Sequence, residues 1–376
     1  MLFQLDSFLF QPDLCPIYNR CSLLTPKFKF IYFDLLFKSV NICLSIGWRT
    51  SLGEIRKVQE TPSGTFFVCL PKDWAERHGL KKGSTVVLSE TSDGKLLVDT
   101  EYGSTPSPRV AVLKPGPYLS REITGKYLLG FDIIRVEGKD GIGLEVREDV
   151  KRTASRLVGL EIIEEDYSKI VLQCLLEPSS FPPDKILRRA YALAAGMHRD
   201  VVNAIVNGDV TLAKSVIARD EEVNRLYFLL IRILRTIIQN PSLSERLGVK
   251  PIECLDFRLA ASLVENIGDE CVRAAYKVEN LRGVKLADSL KVALLEFHKL
   301  CFEAHENAVR AFLAGDVALA VSVSDMRGKI AKVYETIETN ARVQSPDIVP
   351  YLLAAMSALM QIYEHSVDIA DLVRLY

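Results

Sequence analysis

The sequence predicts a multidomain α+β protein: a small β domain, a short α/β module, then an all-α pair of three-helix bundles. Three observations predict it. Short apolar runs punctuated by Pro and Gly turns fill residues 54–102, the signature of short strands. Strand-like and helix-like stretches alternate through residues 110–177, as they do in an α/β layer. Finally, GDVTLAKSV at Gly208–Val216 returns as GDVALAVSV at Gly315–Val323, inside long apolar helical patterns. A stretch repeated in this way marks an internal duplication.

Composition bounds the function. The chain has 376 residues, 48% of them hydrophobic and 25% charged, which is globular and long enough for about two to four domains. A formal net charge of −1 excludes a broadly basic protein, so nucleic acid would have to meet a local patch. Eight cysteines without paired spacing read as reduced thiols in a cytoplasmic protein; Cys69, Cys174, Cys254, Cys271 and Cys301 are expected in cores. Residues 1–53 are read as an N-terminal extension, non-native or disordered. Its aromatic run Phe28–Trp48 is broken by Lys29, Asp34 and Lys38, so no stable membrane insertion is expected.

In chain order, residues 54–102 should form two strand pairs around a short helix. IRKVQE and TFFVCLP flank the turn TPSG, PKDWAERHGL is the helix, and STVVLSE and KLLVDTEY flank a turn with Asp93-Gly94. So small a unit buries little alone and calls for a partner copy. The module at 109–178 alternates RVAVLK, LSREITGKYLLG, FDIIRVEG, LEVREDVKRTASRLVG, LEIIEED and KIVLQCLLE. Six helices follow: Lys185–Asn207, Val210–Gln239 and Cys254–Asn280 in a first repeat at 182–283, then Ser289–Ala314, Val317–Arg342 and Val349–Leu375 in a second at 284–376. Gly208 and Gly315 suit the left-handed position that ends a helix, and Asp209 and Asp316 the cap that opens the next.

Two resemblances follow from these residues. IRKVQE, SGTFFVCLPKDWAERHGLKKGSTVVL and DGKLLV resemble the AbrB/SpoVT-type swapped-hairpin domain. The corner repeats and LAASLVENIGDECVRAA (Leu259–Ala275) resemble the PhoU family, in its archaeal-type form with an AbrB-like head. The resemblance implies a regulator of phosphate uptake and phosphate homeostasis, acting negatively, as a homodimer. It also implies output to DNA through the head, or contacts with a phosphate transporter or sensor.

The candidate site residues are of two kinds. Glu265 and Asp269 stand four apart on one helix face, as do Asp220 and Asn224 on the preceding helix with Glu221 beside them. Leu259, Leu263, Ile267 and Cys271 are expected to form the opposite, core-facing stripe. Converging oxygens suit a hard divalent or ferric ion (Fe, Mn, Mg or Zn), and Glu265 with Asp269 matches the E/D-x-x-x-D pattern with which the PhoU family holds metal clusters. The alternative is a solvated acidic surface. In the second repeat Arg327, Ala331, Met360 and Glu364 take the corresponding places, so the metal is expected in the first repeat alone. In the head, Arg56, Lys57, Lys72 and Arg77 are the candidate DNA contacts, with Arg56 and Lys57 matching the RK of DNA-binding AbrB-like members. Thr65, where such members often carry Arg after the loop glycine, leaves open a dimerisation module without a DNA role. With no nucleophile or phosphate-loop motif, the chain reads as a regulator and not an enzyme.

Overall fold

The computed structural model describes residues 54–90, 94–100 and 108–373. The readings made for residues 1–53, for most of the linker at 104–109 and for Asp93 lie outside these. Two compact units form: a head that includes residues 54–88 and a body that includes everything from residue 108 on.

In the head, strands β1 (Gln59–Glu60) and β2 (Phe66–Phe67) pair antiparallel, helix α1 spans Lys72–Arg77, and β3 (Val87–Glu90) pairs with β4 (Leu96–Asp99). The strands are shorter than the apolar runs suggested. No described head residue is buried; Phe66 is 69% exposed and Leu88 58%. Cys69, expected in a core, is exposed for the same reason. One copy of the head has no core of its own.

The body begins with a four-stranded sheet in the order β5-β6-β8-β7, where β5 is Val110–Leu113, β6 Ile133–Glu137, β7 Leu160–Glu165 and β8 Lys169–Cys174. β5 and β6 run parallel, joined through helix α2 (Leu119–Leu128), and the other pairs are antiparallel. Helix α3 (Leu144–Ser155) completes the module. Its core is Ile123, Tyr127, Ile134, Val136, Val150, Leu160, Ile170 and Leu172, all essentially inaccessible to solvent.

The helical region follows the expected order closely. Helices α4 (Pro183–Asn207) and α5 (Val210–Gln239) meet at a corner where Gly208 takes φ 63° and the Asp209 carboxylate accepts from Leu212 N–H at 3.0 Å. The second copy joins α8 (Asp288–Ala314) to α9 (Val317–Asp325), with Gly315 at φ 65° and Asp316 accepting from Leu319 N–H at 3.0 Å. Between the two corners lie α6 (Pro241–Leu247) and α7 (Glu253–Val278), the third long helix of the first repeat. Helix α6 stands in the stretch between the expected helices Val210–Gln239 and Cys254–Asn280, where the sequence reading places none. Asn240 caps it, Pro241 opens it and left-handed Gly248 closes it, all local signals.

Two departures concern the second repeat. The helix expected over 317–342 breaks at Met326 into α9 and α10 (Arg327–Ala341), through i→i+3 turns onto Val323 and Met326; Gly328 just beyond weakens helix continuity there. Helix α11 (Val349–Ala370) ends the described chain. The two bundles are also not separate cores. One apolar cluster runs from Ile186 to Ala370, with α7 packed on α11 and α4 on α8.

The α4/α8 contact carries the duplication inside it. The offset that takes Gly208 onto Gly315 also takes His198 onto His305 and Tyr191 onto His298. His198 meets His298 edge-on with ring centres 4.7 Å apart, and His305 meets Tyr191 edge-on at 4.8 Å. Burial holds all three imidazoles below their usual pKa, that of His305 to about 3, so these rings pack as neutral groups.

Candidate functional site

The acidic face forms between α5 and α7. Asp220 and Asn224 lie one turn apart on α5, and Asn224 Nδ2 donates to Asp220 Oδ2 at 2.9 Å. Asp220 Oδ1 is buried with no hydrogen-bond partner. It lies against α7 at Gly268, where a Cβ would stand only 3.3 Å from it. The glycine of the ENIGD stretch therefore makes room for a carboxylate from the neighbouring helix. Glu265 and Asp269 flank that glycine. Burial first, then Asp269 and Asp220, push the Glu265 carboxyl up to about 7. Burial and Asp269 also raise Asp220, with the Asn224 hydrogen bond working against them.

The four expected residues thus share one face and one negative field. Glu221 adds to the field at Asp220 but leaves the face: it turns to Arg156 at the end of α3, with Nε at 2.6 Å from its carboxylate. The core stripe of α7 also differs from expectation. Ile267 and Cys271 are buried, but Leu259 is 52% exposed and Leu263 half-buried, while Ala260 and Val264 take the core positions. Among the described residues, no three His, Cys, Asp or Glu side chains close around a common point as metal ligands do. The donor set itself, hard oxygens with an orphaned buried Oδ1 and mutually repelling carboxylates, fits a hard cation better than zinc.

Nothing in the sequence pattern pointed to Arg232. Its buried guanidinium donates to the carbonyls of Tyr127 at 2.6 Å and Phe131 at 2.9 Å, lies over the Tyr127 ring and stands 3.7 Å from Asp132. It fastens the α/β module to α5. An arginine inside LLIRILRTII gives no sign of that from spacing alone.

In the second repeat the acidic face is gone. Arg327, at the position of Asp220, grips Glu364, at the position of Asp269, through two 2.9 Å hydrogen bonds. Tyr363, at the position of Gly268, fills the gap; it is fully buried and its hydroxyl donates to Val323 O at 3.1 Å.

The basic head residues are all exposed. Arg56 pairs with Glu54, and Lys72 stands 3.7 Å from Glu76. Arg77 Nε donates to Asp73 O at 3.1 Å, and Lys57 is exposed beside Arg56. Arg56 and Lys57 precede β1, whereas Lys72 and Arg77 lie on α1.

Comparison with known proteins divides along the same lines. Residues 187–278, the stretch that carries the acidic face, match the PhoU domain. Residues 63–107 match the family described as antidote-toxin recognition MazE, bacterial antitoxin. Among solved structures, the chain is similar to PhoU from Pseudomonas aeruginosa, with 21% identity and a TM-score of 0.46 over 51% of this chain and 93% of that one. It is also similar to the phosphate transport system regulatory protein PhoU from Streptococcus pneumoniae, with 16% identity and a TM-score of 0.43 over 51% of this chain and 91% of that one. No curated protein matches the chain. Among the described residues, no helix is long and apolar enough to cross a membrane.

Proposed function

We propose, with the PhoU domain at residues 187–278 as the premise, that this chain is a non-enzymatic negative regulator of phosphate uptake and intracellular phosphate homeostasis, working in the cytoplasm. That domain match over helices α4, α5 and α7 is the observation that carries the reading. The head acts as the output module. Its apolar strands are uncovered in one copy, which supports a homodimer in which two heads complete each other's core. Doubling also sets two copies of Arg56, Lys57, Lys72 and Arg77 on one assembly, where their charge can add against DNA phosphates.

Genome-wide mapping of the bound protein tests the DNA reading. Peaks upstream of phosphate-transport genes are expected, lost when Arg56 and Lys57 become Ala. A genome without peaks would leave the second reading, an adaptor that signals through protein contacts with a phosphate transporter or sensor. The pairing of Arg56 with Glu54 and Lys72 with Glu76 favours that one, because cations already neutralised contribute less to phosphate binding.

In this reading Asp220, Glu265, Asp269 and the Asn224 amide oxygen hold a hard cation, which when bound supplies the charge that their face lacks. Elemental analysis of protein purified without chelator should find Fe, Mn or Mg, lost in Glu265→Ala. Metal-free wild-type protein would reduce the face to a solvated acidic surface.

A further inference from the structure

The seam between the α/β module and α5 is pinned by Arg232 and by Arg156 with Glu221. Beside these pins a crevice of about 290 Å³ opens between Val158, the turn before α4 and the middle of α5. Its walls are apolar, chiefly Val158, Phe181, Ile186 and Leu226. Its charged groups are mostly cationic: Lys185, Arg189 and Arg225, against one acid, Glu222, with Ser180 the neutral polar side chain.

These cations are under-used. Arg225 Nη1 donates to Glu222 at 2.8 Å, but its Nε–H is buried without a partner. A donor left so inside a protein is costly, and native structures usually satisfy it. Lys185 and Arg189 stand one turn apart on α4, and among the described residues neither side chain has an ion pair or a hydrogen bond. Helix α4 begins at the same place with no side-chain cap, so its positive end adds to the field.

We infer that this crevice binds a small organic phosphate, with the phosphate on Lys185, Arg189 and Arg225 and an apolar or aromatic body against Phe181 and Leu226. Two guanidiniums and an ammonium suit a dianionic phosphate. An inorganic ion would leave the apolar walls wet, and a neutral apolar molecule would leave the cations unpaired. Glu222 and Arg225 lie on a different face of α5 from Asp220 and Asn224, so one helix backs both sites. The inference rests on the crevice alone and not on the phosphate-uptake reading.

Titration calorimetry of the full-length protein with AMP tests it. Saturable binding is expected, weakened about tenfold or more by Arg189→Ala and by Lys185→Ala. Arg188→Ala, exposed on the same helix but outside the crevice, should bind as wild type does. Inorganic phosphate and adenosine, each carrying half of the chemistry, should bind at least about tenfold more weakly than AMP. The substituted side chains are exposed, and unchanged thermal melting will show that the variants fold. AMP binding that is absent at millimolar concentration, no tighter than that of inorganic phosphate, or untouched by Arg189→Ala overturns the proposal.

Discussion

The two repeats place the same helices in the same order and use one face in opposite ways. In the first, Gly268 opens a gap beside α7 and Asp220 leans into it, opposite Asp269, so acid faces acid. In the second, Tyr363 fills the gap and Arg327 closes over it onto Glu364. Two positions decide the outcome. With glycine and aspartate, the face stores like charge that a cation could relieve. With tyrosine and arginine, the corresponding helices of the second repeat, broken at Met326, make a closed clasp that needs no ion.

The comparison can be broken most severely at Tyr363. Tyr363→Ala should cost about 3–5 kcal/mol, because a buried aromatic leaves a cavity and Val323 O loses one of its two donors. Urea denaturation would register it, and a loss below 1 kcal/mol would mean that Tyr363 does not do in repeat two what the missing side chain at Gly268 leaves undone.

A second, smaller effect depends on pH. His198 has His298 as a ring-nitrogen partner at 3.3 Å, whereas both nitrogens of His305 are buried without one. The folded pKa of His305, about 3, lies below its unfolded value near 6.5. Its neutral form is therefore favoured in the folded state, and stability is full above pH 6.5 and lost as pH falls toward 3. Between pH 6.5 and 4.5 this one residue should remove about 2–3 kcal/mol. His305→Phe, which breaks no hydrogen bond, should make that part of the profile shallower, leaving the share that His198 and His298 contribute. An unaltered slope in the variant would refute the assignment.

The smallest effect tests the clasp. Arg327→Ala should lower stability by only about 0.5–1 kcal/mol, since Arg327 and Glu364 are both substantially exposed and water screens the pair. A double-mutant cycle with Glu364→Ala reads the coupling directly. Zero coupling would reduce the repeat-two contrast to the tyrosine alone.

Much of the helical architecture was legible because its signals are local. Helix α5 spans Val210–Gln239, as the caps and periodicity predict, and both Gly-Asp corners form as read. The four acidic-face residues were legible too, as two i, i+4 pairs. What spacing could not reveal were contacts to other elements. Leu259 fits an apolar stripe yet is exposed, Glu221 is drawn away to Arg156, and Arg232 is buried by carbonyls more than a hundred residues distant in sequence. The head was misjudged in strand length for a related reason, since its apolar residues have no covering surface within one chain.

The sequence by itself determined where helices start and stop, that they come in two sets, and which residue types stand on the candidate faces, because caps, glycines and periodicity act over a few residues. Only the tertiary structure decided which neighbour each face meets. That is why Gly268 is room for Asp220 rather than a weak point in a helix, and why Arg327 is a partner for Glu364 rather than a free cation: the energy of a side chain is set by what packs against it.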